Sequence, residues 1–443
     1  MRRSALATTL LLAALDAGAA TFVVGSTTDG ADAVPGNGVC SWTAGICTLR
    51  AAIQEANAWP GADVIQLPAG TFALSIAGAG EDAAATGDLD IAEDLTIEGA
   101  TAAGTVIDAG SLDRVFDVLG MPGTLSVTIR DVTIRGGATS DVEGAGVRHA
   151  DDGTLTVEDS VLSQNQVSGT TSDAIGGAIS SNGVGHLEVR RVLFSANGAD
   201  RGGAIFHNGS LAIWDSTFAG NTASTGSAIE SYGDGTVERC TFVGNQATAG
   251  SGAMIRLLSG TYRIQNSTSS DNESPGPGIS AYADLRLESV TSLGNTTWTG
   301  LWVGGGTTSI VNSVLWGTSG DECNVTGGTI VSLGHNLDSD DTCGAGPGDL
   351  PIQDPQLAPL ADNGGLTETH LPAPGSPLAN AGLDAACLPE DQRGVLRNLG
   401  PANACDVGSV EFAVPEPGAT GAGVAALGAL ALLRRRRRAP PRG

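Results

Sequence analysis

Between positions 160 and 295 the chain restates one short pattern six times. Segments 160–166, 191–198, 215–223, 239–247, 266–272 and 289–295 each carry an asparagine at or near their end: Asn165, Asn197, Asn221, Asn245, Asn272 and Asn295. Successive asparagines stand 32, 24, 24, 27 and 23 residues apart. A second pattern runs between them in the same register: Gly176-Gly177-Ala178-Ile179, Gly202-Gly203-Ala204-Ile205, Gly226-Ser227-Ala228-Ile229, Ser251-Gly252-Ala253-Met254 and Pro277-Gly278-Ile279. Periods of this size mark a solenoid, in which each repeat packs only on its neighbours.

Within a period, short alternating stretches such as Leu187-Glu188-Val189-Arg190 and Leu211-Ala212-Ile213-Trp214 read as strands, separated by Gly, Asn, Asp and Ser turn clusters. No stretch in 60–340 sustains a helical period. A repeat of two or three short strands cannot bury its apolar face alone, but it can by coiling, each rung hydrogen-bonded to the next. The expected fold is therefore all-β: a right-handed parallel β-helix over 62–340, with about a dozen rungs spaced ~4.8 Å apart along a rod of roughly 55 Å. Leucine-rich repeats and propellers are excluded, for want of regular Leu spacing or Trp-Asp marks. Composition agrees: 65 glycines, 4% aromatic residues and 41% hydrophobic residues suit a narrow core closed by many turns. The six asparagines are expected to stack as a structural ladder with amides bonded from rung to rung. The Gly-Gly-Ala-Ile runs are expected to form a tight corner leading into a core strand.

The pairing of Gly-Gly-Ala-Ile with Phe-x-x-Asn over 144–300 resembles the polymorphic outer-membrane protein repeat. It departs from that family in lacking a C-terminal run of membrane strands.

Open β-helix ends require caps. At the N-terminal side, 47–57 reads as a helix, with Leu49, Ile53 and Ala56 on one face to cover the first rung. Arg50 and Glu55 on it are expected to form an ion pair. The run Cys47-Thr48-Leu49-Arg50-Ala51-Ala52-Ile53-Gln54-Glu55-Ala56-Asn57, followed by 63–72, resembles the CSLREA-type N-terminal domain of exported β-helix proteins. The likeness extends from Thr21 to Ala100. Beyond the rungs, the segments 334–343, 354–365, 371–382, 391–394 and 405–411 occur in an order similar to the choice-of-anchor Q domain. That resemblance implies a C-terminal cap preceding an anchoring signal, and says nothing about chemistry.

The two ends point to export. Arg2 and Arg3, an apolar run over 10–15 and Ala17-Gly18-Ala19-Ala20 form a secretory signal over 1–20, whose apolar run is too short to span a bilayer. At the other end, Pro415, Glu416 and Pro417 precede an apolar stretch, 418–433, and five arginines, 434–438. That order resembles a PEP-CTERM sorting signal; the alternative is a simple membrane anchor with its arginines on the cytoplasmic side. Signal peptidase and, by the resemblance, an exosortase-type processing protease are the expected partners. The chain thus divides into a signal (1–20), an N-terminal cap with first rungs (21–100), β-helix repeats (101–330), a C-terminal cap (331–413) and a sorting or anchor tail (414–443).

In an exported chain close cysteine pairs read as disulfides. Cys40 with Cys47, Cys323 with Cys343 and Cys387 with Cys405 are the candidates, leaving Cys240 as an unpaired core residue. The formal charge of −26 excludes nucleic acid as a partner and disfavours anionic membranes. It would also repel an anionic polysaccharide unless cations bridge the two.

An enzyme of this fold would act on polysaccharide. A lyase would need clustered carboxylates for Ca²⁺ with an Arg or Lys base, and a hydrolase would need paired carboxylates. The clusters available are Asp151-Asp152, which reads as a turn before 154–157, and Asp338, Asp340 and Asp341, which read as a loop. His149, His186, His207, His335 and His370 have no metal-ligand spacing. No catalytic or cofactor-binding residue is assigned. The expected function is a non-catalytic surface scaffold meeting neighbouring cells or extracellular polysaccharide. The competing reading is a polysaccharide lyase or glycoside hydrolase with its site on the rod's side.

Overall fold

The computed structural model of the protein describes residues 18–120, 124–397 and 404–412. Residues 1–17 of the expected secretory signal (1–20), and the expected sorting tail with Pro415, Glu416 and Pro417, lie outside the described residues. Among the described residues no helix is long and apolar enough to cross a membrane.

The chain coils into a parallel β-helix. One face is a 12-stranded sheet running from Thr21–Val23 to Thr329–Gly334, and a second is an 11-stranded sheet from Gly70–Ala73 to Leu337–Asp338. The third face is a branched 15-stranded sheet. In it, paired short strands such as Gln166–Ser168 and Ile179–Ser181 merge into single long ones, Glu273–Ala281 and Thr296–Val303. Alternation sets the inside: Leu155 and Val157 stack on Leu187 and Val189, then on Leu211 and Ile213, all buried. Phe194, Phe218 and Phe242 form a second column, with rings stacked at 4.7 and 4.9 Å, the rung spacing itself.

The corner between the second and third faces is held by the asparagines. Nδ2 of each of the first five donates to Oδ1 of the next, at 3.1, 3.0, 2.9, 3.0 and 2.8 Å from Asn165 to Asn295. The backbone N–H of each donates to the same Oδ1. Each Nδ2 also donates to a main-chain carbonyl one rung back. Such a column leaves no buried amide unsatisfied. The opposite corner uses residues in the left-handed region, among them Asp159, Arg191, Asp215, Arg239 and Asn266. In the Gly-Gly-Ala-Ile runs, Gly176 and Gly202 take φ of +64°. A Cβ on Gly177 would stand 2.3 Å from the Gly203 carbonyl, so the second glycine is needed for close approach between rungs.

The helix Leu49–Ala58 starts at Thr48, whose Oγ1 accepts from Ala51 N–H at 3.1 Å. Leu49, Ile53 and Ala56 are buried in the main core. The ion pair expected between Arg50 and Glu55 is not made. Five positions apart, the two side chains leave the helix in different directions, whereas pairs meet at three or four. Arg50 instead binds Asp29 at 2.6 Å and donates to the carbonyls of Ala84, Gly87 and Asp88. Glu55 accepts from the amides of Gly36 and Gly38. Burial would raise the Asp29 carboxyl, but the bonds from Arg50 and from Ser75 N–H bring it below its usual range.

Disulfides join Cys40 to Cys47, Cys323 to Cys343 and Cys387 to Cys405, while Cys240 is free and buried. The C-terminal segment departs from the expected end cap. Cys343 completes the core at the end of the rod, but residues from about 354 onward turn back along the side. They cover one outward column of the second face: Thr241, Thr268, Thr291, Val314 and Leu337, all buried. Thr241 Oγ1 donates to the Glu368 carbonyl, Thr268 Oγ1 to Gln392 Oε1, and Thr291 Oγ1 accepts from Ser409 N–H. Hydroxyls repeated at rung spacing can satisfy an irregular, Pro-rich backbone that no strand edge could pair. In the preceding rungs the same column remains open, with Leu193 37% exposed.

Two histidines lie inside the rod. His149 Nδ1 is 2.9 Å from Ser181 Oγ, and His207 Nε2 accepts from Gly209 N–H at 3.1 Å. Burial pushes each down to about 4. The unfolded chain therefore takes up these protons first, near pH 6.5, and stability drains away as pH falls from there to about 4. Relative to a His149→Gln, His207→Gln double variant, the wild type should lose up to a few kcal/mol across that window in denaturant titrations. Equal slopes for the two proteins would show that the imidazoles do not carry the effect.

Candidate functional site

The outward column of the third face is the surface that chemistry could use. In register it reads Asp90, Asp117, Arg148, Ser180, Phe206, Glu230, Arg256, Ser280, Trp302 and Asn324. Each sits between two inward residues, as Phe206 does between Ile205 and His207, so the pleat turns all of them the other way.

One half of the column is aromatic and cationic. Arg201 lies 5.0 Å over Phe206 and 5.9 Å from Tyr232, whose hydroxyl it also bonds at 2.6 Å. Arg256 lies 5.9 Å over Tyr282, and Tyr282 meets Trp302 edge-on at 4.9 Å. Fully buried Glu230 takes hydrogen bonds from Arg201 and Arg256. Charge pairing fixes the guanidiniums, and the guanidiniums fix the rings. Tyr282 is 41% exposed.

The other half is acidic. One oxygen from each of Asp88, Asp90 and Asp117 falls within 4.8 Å of the others, and all three residues are buried. Arg114 reaches Asp88 at 2.9 Å and Asp117 at 3.5 Å, and Arg148 binds Asp117 at 2.9 Å and Glu143 at 2.8 Å. Asp90 Oδ2 accepts from Ala84 N–H, while its Oδ1 has no partner. Burial, then repulsion from Asp90 and Asp113, pushes Asp88 up to about 8. Burial, then chiefly Asp117, lifts Asp90 to about 7 despite the Ala84 bond. Burial also raises Asp117 against the pull of Arg114 and Arg148. Burial works to lower Arg148, but Asp117 and Glu143 outweigh it and hold its proton more tightly than usual.

Of the carboxylates singled out in the sequence, Asp151, Asp152, Asp338 and Asp340 serve the backbone, and Asp341 is an exposed bend residue with φ of +60°. Asp151 Oδ1 accepts from Leu125 and Gly153 N–H, and Asp152 from Val184 N–H. Asp338 holds the amides of Asp340, Asp341 and Cys343, and Asp340 that of Glu322. The five histidines are dispersed: His186 pairs with Ser210, His335 with the Ala381 carbonyl and His370 with that of Ala358. The acidic trio was missed. Its signal was the alternation in Asp88-Leu89-Asp90-Ile91 and an Asp between two core residues in Phe116-Asp117-Val118, but nothing in the sequence aligns those two segments.

Residues 117–292 match the family described as the right handed beta helix region. No curated protein matches the chain. Among solved structures, the crystal structure of pectate lyase Pel9A aligns over 89% of this chain and 96% of its own, with 17% identity and a TM-score of 0.40. By its hydrogen-bonded coil and its family match, the repeat body of this chain is a right-handed parallel β-helix.

Proposed function

We propose that the protein is an exported, non-catalytic scaffold of the cell surface or extracellular matrix that binds polysaccharide along the third face of its rod. The observation carrying this reading is the row Phe206, Tyr232, Tyr282 and Trp302, braced by Arg201 and Arg256. Exposed Tyr282 and half-buried Tyr232 and Trp302 offer apolar surface to sugar C–H groups and the guanidiniums offer donors to hydroxyls, while Phe206 is buried beneath Arg201 as part of the brace. The expected delivery uses the signal over 1–20 and the tail over 414–443, and mass analysis of the mature C-terminus with cell fractionation tests it. Residues 434–438 still attached would leave a membrane anchor in place of sorting and cleavage.

A lyase reading finds support in the acidic trio beside Arg148. Arg148 argues against it, because a base must release its proton and this one is held by Asp117 and Glu143. Fold alone decides nothing here. The mature protein should bind one or more members of a panel of neutral and acidic polysaccharides, tested with and without Ca²⁺, and leave them uncut. Trp302→Ala or Tyr282→Ala should each weaken binding about tenfold, the loss of ~1.4 kcal/mol. Bond cleavage abolished by substitution of Arg148 would replace this reading with the lyase. Absence of binding across the panel would remove the glycan role.

A further inference from the structure

We infer that Asp88, Asp90 and Asp117 form a calcium site that ties the N-terminal turns of the rod together. Asp90 and Asp117 come from adjacent rungs, and Asp88 ends the loop that Arg50 clamps through the Ala84, Gly87 and Asp88 carbonyls. A cation here would therefore bridge a rung to its neighbour and to the loop under the cap helix.

Charge balance favours a cation at this place over carboxyls that must hold protons. Asp88, Asp90, Asp117 and Glu143 are four carboxylates facing two guanidiniums, Arg114 and Arg148. Asp113 stands nearby as a fifth acid, paired only with the Arg114 amide. With those four carboxylates ionised, two negative charges would stand uncompensated in a buried setting, where an unpaired carboxylate is costly, and either bound protons or a cation can relieve that cost. The fully buried Asp90 Oδ1, with no protein donor, is where that deficit concentrates. One divalent ion would cancel two charges.

The donors identify the ion. An all-carboxylate oxygen set suits a hard cation and not zinc or copper. Oxygens on opposite sides of Ca²⁺ stand about 4.6–5.2 Å apart, twice the ~2.3–2.6 Å bond, so carboxylates within 4.8 Å can close on it without moving strands. Mg²⁺ keeps most of its water, and three buried aspartates leave little room for that shell.

This inference is independent of the glycan reading, since it concerns the rod's own integrity. The test is calcium titration of the mature protein, stripped with chelator, by isothermal calorimetry and thermal unfolding. The wild type should take up one Ca²⁺ per chain and unfold at a higher temperature when loaded. Asp90→Asn should lose at least about tenfold in affinity, or ~1.4 kcal/mol, yet unfold above the wild type in chelator because a buried, repelled charge is gone. Asp117→Asn should also lose calcium uptake, whereas Asp321→Asn, on an exposed strand end, should bind as the wild type does. Absence of saturable uptake by the wild type up to ~10 mM, above the range of extracellular calcium modules, would overturn the inference. So would an equal thermal shift in Asp90→Asn and the wild type, which would reduce the effect to screening of an acidic surface.

Discussion

Asn221→Ala should cost about 3–5 kcal/mol, among the largest effects available from a single polar side chain. Asn221 Nδ2 donates to the Phe194 carbonyl and Asn245 Oδ1, and its Oδ1 accepts from both nitrogens of Asn197. Truncation strands those partners in a corner with no exposed surface, at ~1–3 kcal/mol each before relaxation. Asn221→Asp should rescue little, because a carboxylate accepts from Asn197 but presents oxygen to two acceptors. Asn295→Ala should cost about as much, since Asn295 has no ladder partner ahead of it but its Oδ1 accepts from Asn272 and Ser269, and its Nδ2 donates to the Ser269 carbonyl and Ser292 Oγ. Denaturant unfolding would rank the variants, and hydrogen exchange at the amides of Asn197 and Asn221 would localise the loss. Equal stability of Asn221→Ala and the wild type would mean the ladder is incidental to the coil.

Arg50→Met should cost about 3–5 kcal/mol through a different mechanism, the loss of one partner from a buried ion pair. Arg50 and Asp29 have side chains 0% and 2% exposed, so solvent cannot take over the abandoned carboxylate. Three main-chain carbonyls lose their donor in the same step. Arg50→Lys should recover only part, because one ammonium cannot span an aspartate and three carbonyls as a planar fork does. The damage should be confined to the N-terminal turns, so limited proteolysis should cut between about 76 and 90 while the later rungs stay protected. Wild-type resistance there would contradict the bracing role given to Arg50.

How much of this was legible follows from what repeats and what does not. The recurring asparagines and Gly-Gly-Ala-Ile runs sit once per turn, so their spacing alone announced a coil and put each asparagine at one corner. The alternation in Leu187–Val189 and Leu211–Ile213 likewise marked the inside. The cysteine pairs lay close enough in sequence to suggest themselves. Arg50 was noticed but given the wrong partner, because Asp29 lies in a loop whose path has no period.

The site was harder to read for a physical reason. Turn lengths vary, from 23 to 32 residues between ladder asparagines, and the extra residues sit in loops. Counting along the chain therefore cannot say which outward residues become neighbours. Asp90 pairs with Asp117, Asp117 with Arg148, and Ser180 with Phe206 only because rung-to-rung hydrogen bonds fix that register. The same holds for 354–397 and 404–412, whose resting place depends on the column Thr241, Thr268, Thr291, Val314 and Leu337, visible only once the rungs are aligned. The sequence by itself determined the period, the core and the ladder, since these are local patterns repeated in each turn. Only the tertiary structure decided the acidic trio, the aromatic row and the docked C-terminal segment, because each is a contact between turns.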